Sequence, residues 1–560
     1  MTSTEDHKTK SLATSPSSRQ DVEAGQTPLK LRAHLNRRFA FSLKHIGICL
    51  FFAIFFILLN YTPLYHSDLW GHVSYGNWIL ENGSLPVEDP FTPLAEGVKL
   101  VDTAWLSQVI FASVDNILGA EGLSNLYALT VLMTVLLFFG LFFRKTENLG
   151  MSLLGTMTIL LFASTRIPII RTEIFGNLCF AAMLFAISFE LSPMKNIGSN
   201  SMTTLLKYRP WMYLVIPVLF MLWANCHGSF VVGLIFLACF ASGRFVEVLW
   251  QTRSLKDLLI DGLFHRRLIL LELAFFAAMC NPYGVDLFIN ALTFGQHANL
   301  ADILEWQPLS IHTVETVWFG LSLGMLLLAV RHSRRSVRPS EVFLLTIFAF
   351  ATVFKVRMIG WYAMVFAFVM IPHFKDIFHQ LAQRFQKRKL AWDALPTQHR
   401  WLGPSFYHSL FCLLILWCGF SLSPISRTIL GGELRKPEKI HNSVTPLRLT
   451  QYLNLHQPKG HIFNPQWWGD WIAYKTNSTV KPFVTTNTAH LLPHQVWKDY
   501  LRVSRGEQGW EKILDKYRID TIVVHKARQV RLHEQIRRHT QWKILYEDRL
   551  ALVVSRKASK

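Results

Sequence analysis

The feature of this sequence that most limits its possible folds is a series of long apolar runs. Several approach the roughly 20 residues that an α-helix needs to cross a bilayer, and hydropathy locates eleven such runs along the 560 residues. They are residues 46–64, 123–143, 151–166, 174–192, 211–225, 228–250, 267–281, 315–331, 341–354, 358–374 and 404–424. The mean hydropathy of +0.25 also favours a membrane protein over a soluble one. We therefore predict a mainly α-helical, polytopic transmembrane bundle of about eleven spans.

The charged residues between the runs give the chain an orientation in the membrane. Cytoplasmic loops carry an excess of Lys and Arg, and several such residues precede the first run. The loop from Asn281 to Glu315 instead holds four acids and neither Lys nor Arg. We expect a cytoplasmic N-terminus, with the first polar loop and the C-terminus outside. Because much of the formal net charge of +20 lies in cytoplasmic loops, we do not interpret it as a nucleic-acid site.

The composition changes twice along the chain, which predicts three regions. Residues 1–38 are polar and lack apolar periodicity, so we expect a disordered cytoplasmic tail. Residues 39–424 hold the apolar runs. Residues 425–560 alternate short β-rich runs, such as 461–464 and 521–526, with helical stretches, so we predict an extracytoplasmic α/β domain. That region has no glycine-rich phosphate loop, which leaves a nucleotide site without support.

The first polar loop, residues 66–108, combines acids and tryptophans beside the membrane. One interpretation is an amphipathic loop that rests on the headgroups, with its tryptophans as interface anchors. The other is a loop that carries out chemistry, because polar clusters at membrane depth are frequently functional. The stretch 105–118 is half polar, which favours a helix lying at the interface. The acids of the loop are Asp68, Glu81, Glu88, Asp89, Glu96 and Asp102.

Further polar groups collect at the predicted outer ends of the spans. They are Arg166, Arg171, Glu173, Asn225, His227, Asn281, Glu305, Lys355 and Arg357. Lys355 and Arg357 lie in a predicted outer loop, where the positive-inside rule expects few basic residues. Their presence suggests a bound anion, and an internal salt bridge is the alternative. Arg171, Lys355 or Arg357 could hold a lipid phosphate, while a loop carboxylate takes the proton of an attacking acceptor. His227 is either a metal ligand or a satisfied turn residue.

Several blocks of sequence resemble the GT-C superfamily of polytopic membrane glycosyltransferases. The first loop reads D-x-W-x-H from Asp68, and further on DPF from Asp89 and WLSQ from Trp105. Similar blocks are RTEIFG (171–176), WANCHGSF (223–230), NPYG (281–284), EWQP (305–308), FNPQWWGDW (463–471) and a segment at 496–514. The closest likeness is to a bacterial branch related to protein O-mannosyltransferases and lipid A aminoarabinose transferases, which implies a bacterial cell (inner) membrane.

The resemblance implies a fold, an activity and a set of site residues. It implies an inverting enzyme that moves a sugar from a polyprenyl-phosphate donor to a glycan, lipid or protein acceptor at the outer face. By position, Asp68 is the catalytic or metal-associated acid, with Glu88, Asp89 and Asp102 competing as the second. Leu69 follows Asp68, so an adjacent acidic pair is missing, and a divalent cation (Mg or Mn) stays open. The alternative function is an inactive membrane scaffold or binding protein of the cell envelope.

Overall fold

The structure is a computed structural model and describes residues 40–65, 67–190, 209–389 and 406–557. The predicted tail at 1–38 and His66 of the first loop lie outside the described residues. The chain divides into two compact units. One comprises Met1–Ile57 with Ala394–Leu422, and the other comprises Leu58–Asp393 with Ser423–Lys560. The candidate site belongs to the second unit.

Apolar α-helices lie at all eleven predicted positions. They are α1 Leu43–Asn60, α3 Trp105–Thr146, α4 Leu149–Phe162, α5 Glu173–Glu190, α6 Met212–Cys226, α7 Phe230–Thr252, α9 Gly262–Ala278, α11 Val314–His332, α12 Pro339–Phe354, α13 Ile359–Lys389 and α14 Phe406–Ser421. Six helices of the described residues are long and apolar enough to cross a membrane, and four apolar helices are shorter. The mainly helical membrane fold is therefore confirmed, while the number of crossings stays a prediction.

The remaining helices are short and lie in loops or in the C-terminal region. They are α2 Asp68–Asn82, α8 Leu255–Ile260, α10 Val285–Thr293, α15 Ile425–Leu430, α16 Pro437–Ile440, α17 Leu447–Leu455, α18 Gln466–Lys475, α19 His494–Ser504, α20 Trp510–Lys516 and α21 Val530–Arg538. Short 3₁₀ turns occur at Pro93–Ala95, Phe294–Gln296, Ala298–Asp302, Leu304–Trp306 and Val356–Met358.

Helix α13 forms the centre of the bundle in the second unit. Every residue from Trp361 to Ile371 is buried, as expected for a helix that is apolar on all sides. Aromatic rings from three other helices contact it: Phe180 and Phe236 lie edge-on to Trp361 and Phe368, and Phe162 contacts Phe366. Helix α13 begins directly after the turn that carries Lys355 and Arg357.

Helix α3 joins two segments that the sequence predicted as separate. Its backbone is non-helical at Gly119, where φ is +63°, a conformation that glycine adopts without a Cβ penalty. The half-polar stretch 105–118 therefore forms a helix of its own before the apolar part begins. Its position at a membrane interface stays a prediction.

The C-terminal region contains a five-stranded mixed sheet. The strands are β1 His461–Phe463, β2 Lys481–Pro482, β3 Thr521–His525, β4 Trp542–Glu547 and β5 Ala551–Arg556. Their order is β2-β1-β3-β5-β4, with β1 parallel to β2 and β3, and β5 antiparallel to β3 and β4. All five residues of β3 are buried, as expected for a continuous apolar run at the sheet centre. The predicted α/β character of this region is confirmed.

The first loop and the C-terminal region share one hydrophobic core. Tyr75 and Phe91 of the loop pack in the same buried cluster as Phe463, Phe483 and Tyr500. Helix α2 thus lies between α3 and α18. This packing brings the beginning of α2 against residues of the C-terminal region.

Trp70 on α2 is a core residue and not an interface anchor. Its side chain is fully buried, and its indole Nε1 donates a hydrogen bond to the Tyr65 carbonyl at 2.8 Å. Its ring stacks on Tyr474 with centroids 4.7 Å apart and meets Trp471 edge-on at 5.0 Å. The interface-anchor interpretation is therefore wrong for Trp70, because α18 covers the face that would have met the headgroups.

Candidate functional site

Asp68 is the first residue of α2 and forms an ion pair with Arg171. A carboxylate is favourable at a helix N-terminus because the backbone N–H groups there carry partial positive charge. The Asp68 Oδ2 atom lies 2.9 Å from Arg171 Nε. The other oxygen, Oδ1, is buried and has no hydrogen-bond partner among the described residues. One oxygen of Asp68 is thus held in place while the other remains available.

Arg171 is also part of a cluster in which three guanidiniums meet two glutamates. Glu305 Oε2 lies 2.7 Å from Arg171 Nη1 and 3.0 Å from Arg166 Nη1. Arg357 contacts Glu305 Oε1 and Glu173 Oε2 at 3.5 Å each, and Arg166 lies 3.4 Å from Glu173. Burial alone would raise the pKa of Glu305, but the three guanidiniums outweigh it and hold that pKa far below its usual range.

Lys355 lies at the edge of this cluster without a carboxylate partner. Among the described residues no ion pair involves it, and its Nζ lies 5.9 Å from the centre of the Trp306 ring. The Arg357 guanidinium lies over the same ring at 4.1 Å, a distance typical of a cation–π contact. The predicted group of Arg171, Glu173, Glu305 and Arg357 is thus brought together, with Lys355 beside it.

Glu88 and Asp89 have local roles in the first loop. Glu88 is exposed and accepts a hydrogen bond from the Gly97 N–H at 2.8 Å. Asp89 is buried and accepts hydrogen bonds from the Tyr75 hydroxyl at 2.5 Å and the Thr92 N–H at 2.7 Å. Among the described residues, neither carboxylate is joined to Asp68 or Arg171 by a hydrogen bond or ion pair. Their contacts explain the shape of the loop without any substrate.

Asp102 is connected to α2 through Gln108. Its Oδ1 accepts hydrogen bonds from the Ala104 N–H at 2.9 Å and from Gln108 Nε2 at 3.1 Å. The same Nε2 atom lies 3.3 Å from Nδ1 of His72, one turn after Asp68. Burial raises the pKa of Asp102 to about 6. Burial also lowers the pKa of His72 to about 4, despite the opposing effect of the Asp68 charge.

Asn225 lies in the last turn of α6, and His227 lies in the predicted turn between α6 and α7. Asn225 Oδ1 accepts a hydrogen bond from Trp105 Nε1 at 2.9 Å, and its Nδ2 donates to the Cys280 carbonyl at 3.0 Å. His227 Nδ1 lies 2.7 Å from Ser229 Oγ. Both side chains are therefore satisfied by the protein. Asn225 also lines an open groove of about 530 Å³, with Trp105 and Cys280.

Asp470 and Asn487 of the C-terminal region also reach α2, and the sequence did not predict them as site residues. Asn487 Nδ2 donates hydrogen bonds to the Asp68 backbone carbonyl and to Asp470 Oδ1, both at 3.2 Å. Burial, together with the nearby Asp68 charge, raises the pKa of Asp470 to about 7. The signal available in the sequence was the acid within the FNPQWWGDW block, which contributed to the resemblance but was not considered as a second acid.

The described residues do not fit the divalent cation that the resemblance leaves open. No group of three or more His, Cys, Asp or Glu side chains among them is arranged to hold a metal ion. The Arg171 guanidinium already neutralises Asp68 Oδ2, and a cation at that oxygen would have to displace it. We therefore derive no step through a metal.

A search of protein-family models and a search of curated proteins both found no match. The chain is similar to two crystal structures of an oligosaccharyltransferase from Archaeoglobus fulgidus. One is tethered through a disulfide to an acceptor peptide containing the NVT sequon, with a TM-score of 0.51, 13% identity and coverage of 86% of this chain and 69% of that chain. The other is the apo form, with a TM-score of 0.50, 13% identity and the same coverage. The protein therefore shares the fold of this archaeal oligosaccharyltransferase.

A third structure is ArnT from Cupriavidus metallidurans bound to undecaprenyl phosphate. It has a TM-score of 0.48 and 10% identity, and the likeness covers 93% of this chain and 99% of that chain.

Proposed function

We propose that this protein is a membrane glycosyltransferase that moves a sugar from a polyprenyl-phosphate donor to an acceptor on the outer face of the membrane. The proposal rests on the difference between the partners of the two Asp68 carboxylate oxygens. One oxygen is fixed by Arg171, and the other is buried without a partner among the described residues. The fold it shares with an oligosaccharyltransferase supports the same class of reaction.

Asp68 is the general base in this proposal. Its Oδ1 takes the proton from the acceptor hydroxyl or amine while that group attacks the anomeric carbon of the sugar. The new bond joins the acceptor to the anomeric carbon, and the bond from that carbon to the phosphate oxygen breaks. The polyprenyl phosphate leaves with the electron pair. Attack from the side opposite the phosphate inverts the configuration at the anomeric carbon.

In this proposal, the charge on the leaving phosphate is stabilised by Arg171, Lys355 and Arg357. Lys355 has no carboxylate partner among the described residues, so its charge is available to an anion. Arg171 and Arg357 offer planar N–H groups that match phosphate oxygens. Negative charge grows on the phosphate as the bond breaks, and cations already in place there lower the barrier. Glu305 and Glu173 keep the Arg171 and Arg357 side chains ordered before the donor binds.

The test is the variant Asp68→Asn, which keeps the shape of the side chain and removes its basicity. Membranes with wild-type or variant protein are incubated with polyprenyl-phosphate sugars extracted from the host, and released polyprenyl phosphate is measured by mass spectrometry. We expect a loss of about 10²–10⁴-fold, the usual contribution of a general base. The control is Glu81→Gln, an exposed acid on the same helix. Full activity of Asp68→Asn, with normal expression, would remove Asp68 from the mechanism.

A non-enzymatic scaffold of the cell envelope is the second candidate. It is favoured by the balance of charge in the cluster, where three guanidiniums are paired with three carboxylates of the protein itself, those of Glu173, Glu305 and Asp68. The same assay separates the two functions. A scaffold predicts no release of polyprenyl phosphate above background by the wild type, and no difference between the wild type and Asp68→Asn.

A further inference from the structure

Gly71 lets the C-terminal region approach α2 more closely than any other residue would allow. A Cβ atom added at Gly71 would overlap both Asn487 Nδ2 and Asp470 Oδ1. Gly71 is buried in the first turn of α2, three residues after Asp68. In the sequence, Gly71 stands between Trp70 and His72, where no local pattern explains its small side chain. The reason in the structure is that two polar side chains from α18 and the following loop occupy the space.

Asp470 is held in this position by two donors from one loop. The Thr486 N–H donates to Asp470 Oδ2 at 2.8 Å, and Asn487 Nδ2 donates to Oδ1 at 3.2 Å. Asn487 Nδ2 also donates to the Asp68 carbonyl, so one amide group joins the two aspartates. Asp470 is only 1% exposed. Two titratable groups on α2 interact with Asp470: the Asp68 charge raises the pKa of Asp470, and the Asp470 charge raises the pKa of Tyr75.

Among the described residues, no cation neutralises Asp470, in contrast with the acids that contact the three guanidiniums of the charge cluster. Glu173 and Glu305 each contact two or more guanidiniums, and Asp68 contacts Arg171. Among the described residues, no Lys, Arg or His forms an ion pair with Asp470. Burial without a cation, next to a carboxylate, pushes a carboxyl group towards its protonated form, and the hydrogen bonds from Thr486 and Asn487 oppose this only in part. The geometry alone therefore favours a neutral Asp470 beside a charged Asp68.

We propose that Asp470 is a positioning residue, which in its protonated form fixes Asp68 through Asn487 and leaves the Asp68 carboxylate paired with Arg171. This role rests on the proposed function of Asp68 as a base. Ionisation of Asp470 places a second negative charge beside Asp68, and the repulsion between the two carboxylates changes the orientation of Asp68. The C-terminal region thereby sets the state of a residue that belongs to the first loop.

The pKa of Asp470 agrees with this arrangement and gives the pH at which it changes. Burial and the Asp68 charge raise that pKa to about 7, whereas an unfolded chain has the ordinary value near 4. The folded protein therefore keeps a proton that the unfolded chain loses between these two values. The contribution of Asp470 to stability is fully present below about pH 4 and is lost as the pH rises to about 7.

The first experiment does not depend on activity. The melting temperature of the purified full chain in detergent is measured from about pH 4 to about pH 8, and each variant is compared with the wild type. In the neutral isostere Asp470→Asn, the fall in melting temperature that the wild type shows as the pH rises to about 7 should be absent. Asp68→Asn leaves Asp470 intact but removes the adjacent charge, so the same fall in stability should end at a lower pH. The control Asp520→Asn changes an exposed acid of the same region and should keep the wild-type curve.

Two results of this experiment would overturn the proposal. One is an Asp470→Asn curve that parallels the wild type over the whole range. The other is an Asp68→Asn curve whose fall still ends near pH 7, since that would mean that the two carboxyl groups do not interact. Because Asp68→Asn tests the coupling without altering Asp470, a failure of Asp470→Asn to fold would still leave the question answerable.

The second experiment measures the role in transfer. The rate of polyprenyl phosphate release at about pH 8.5 is divided by the rate at about pH 6, and we expect this ratio to be roughly tenfold or more higher in Asp470→Asn than in the wild type. A residue with a purely structural role would lower both rates and leave the ratio unchanged, and that result would overturn the proposal. If the wild type shows no transfer at all, the proposed function fails, while the melting curves still decide whether Asp470 is coupled to Asp68.

Discussion

At the scale of single residues, Glu305 is the side chain on which the charge cluster depends. Its two oxygens are shared by Arg166, Arg171 and Arg357. Each guanidinium is largely buried, at 16–17% exposure of the side chain, so each would be costly without a counter-charge. Because Arg171 also holds Asp68, the position of Glu305 determines that of the proposed base.

Glu305→Gln should destabilise the protein strongly, because it leaves three buried guanidiniums with one carboxylate fewer. We expect a loss of about 3–5 kcal/mol in the free energy of unfolding, the usual effect of removing one partner of a buried ion pair. The lowered pKa of Glu305 sets the pH dependence. Its contribution is present above its ordinary pKa near 4.3 and is lost as the pH falls towards the folded value. Denaturant unfolding in detergent at neutral and acidic pH measures both effects.

The matched control for this variant is Glu96→Gln, which changes an exposed glutamate of the first loop. Its unfolding curve should follow the wild type at each pH. If Glu305→Gln were as stable as Glu96→Gln at neutral pH, the ion pairs of Glu305 would not contribute to the free energy of unfolding. The three guanidiniums could then bind an anion without a loss of stability.

At the scale of structural elements, the loop from Ala298 to Trp306 links the C-terminal region to the charge cluster. Asn299 Nδ2 donates hydrogen bonds to the carbonyls of Ala489 and Leu492, both at 2.8 Å, and its Oδ1 accepts one from His494 Nδ1 at 2.9 Å. The 3₁₀ turn that follows carries Glu305. Asn299 and Glu305 are six residues apart, so a displacement of Asn299 also moves Glu305.

Asn299→Ala should loosen both sides of this contact. The variant leaves two buried carbonyls without their donor, at a cost of about 1–3 kcal/mol for each unsatisfied group. We expect faster amide hydrogen exchange in residues 298–306 and 489–494, because the variant removes the hydrogen bonds by which the Asn299 side chain joins these two segments. Asn290→Ala is the control, since the Asn290 side chain makes no hydrogen bond within the described residues. Unchanged exchange in both segments would show that the loop is held by other contacts.

The positions of the helices and strands could be predicted from the sequence, because they depend on local patterns. A run of apolar residues long enough to span a bilayer forms a helix wherever it occurs, and the α3 and α13 positions follow from this rule alone. The strand at Thr521–His525 follows from its β-branched composition. Local pattern could not show that Trp70 is buried, because α18 covers it from about 400 residues away in the sequence.

At the scale of the whole molecule, the two ends of the helices in the second unit carry different kinds of polar group. One end holds the Asp68 cluster and the contacts with the C-terminal sheet. The other holds pairs such as Arg244 with Asp261, and exposed basic residues such as Arg334. This asymmetry agrees with the predicted orientation, in which the basic end is cytoplasmic.

Cysteine labelling tests that orientation. In a background without the seven native cysteines, Glu96→Cys should react with a membrane-impermeant maleimide in intact cells, because its loop is expected outside. Arg334→Cys should react only after the cells are permeabilised. Reaction of both variants after permeabilisation is the control for thiol accessibility. The reverse pattern would place the candidate site in the cytoplasm and would contradict transfer at the outer face.

The candidate site could be predicted only in part, and the reason is sequence separation. Asp68, Arg171, Glu305 and Arg357 were identified because each is a charge at the end of an apolar run, which is a local signal. Asp470 was missed because its partner on α2 lies about 400 residues earlier, and no local pattern indicates that Gly71 leaves room for it. Conversely, Glu88 and Asp89 share the same local signal as Asp68, and only their contacts in the fold distinguish them.

The hydrogen bond between Asn487 and Asp68 joins residues that are 419 positions apart. A ribosome adds about 5–20 residues per second, so Asp68 is made roughly 20–80 seconds before the amide that fixes it. Through that interval α18, which covers Trp70 in the folded protein, has not yet been made. The nascent chain therefore passes through a long stage in which the helices are inserted but the site does not exist. A chain that fails to fold its last part would therefore keep its membrane helices but have an incomplete site.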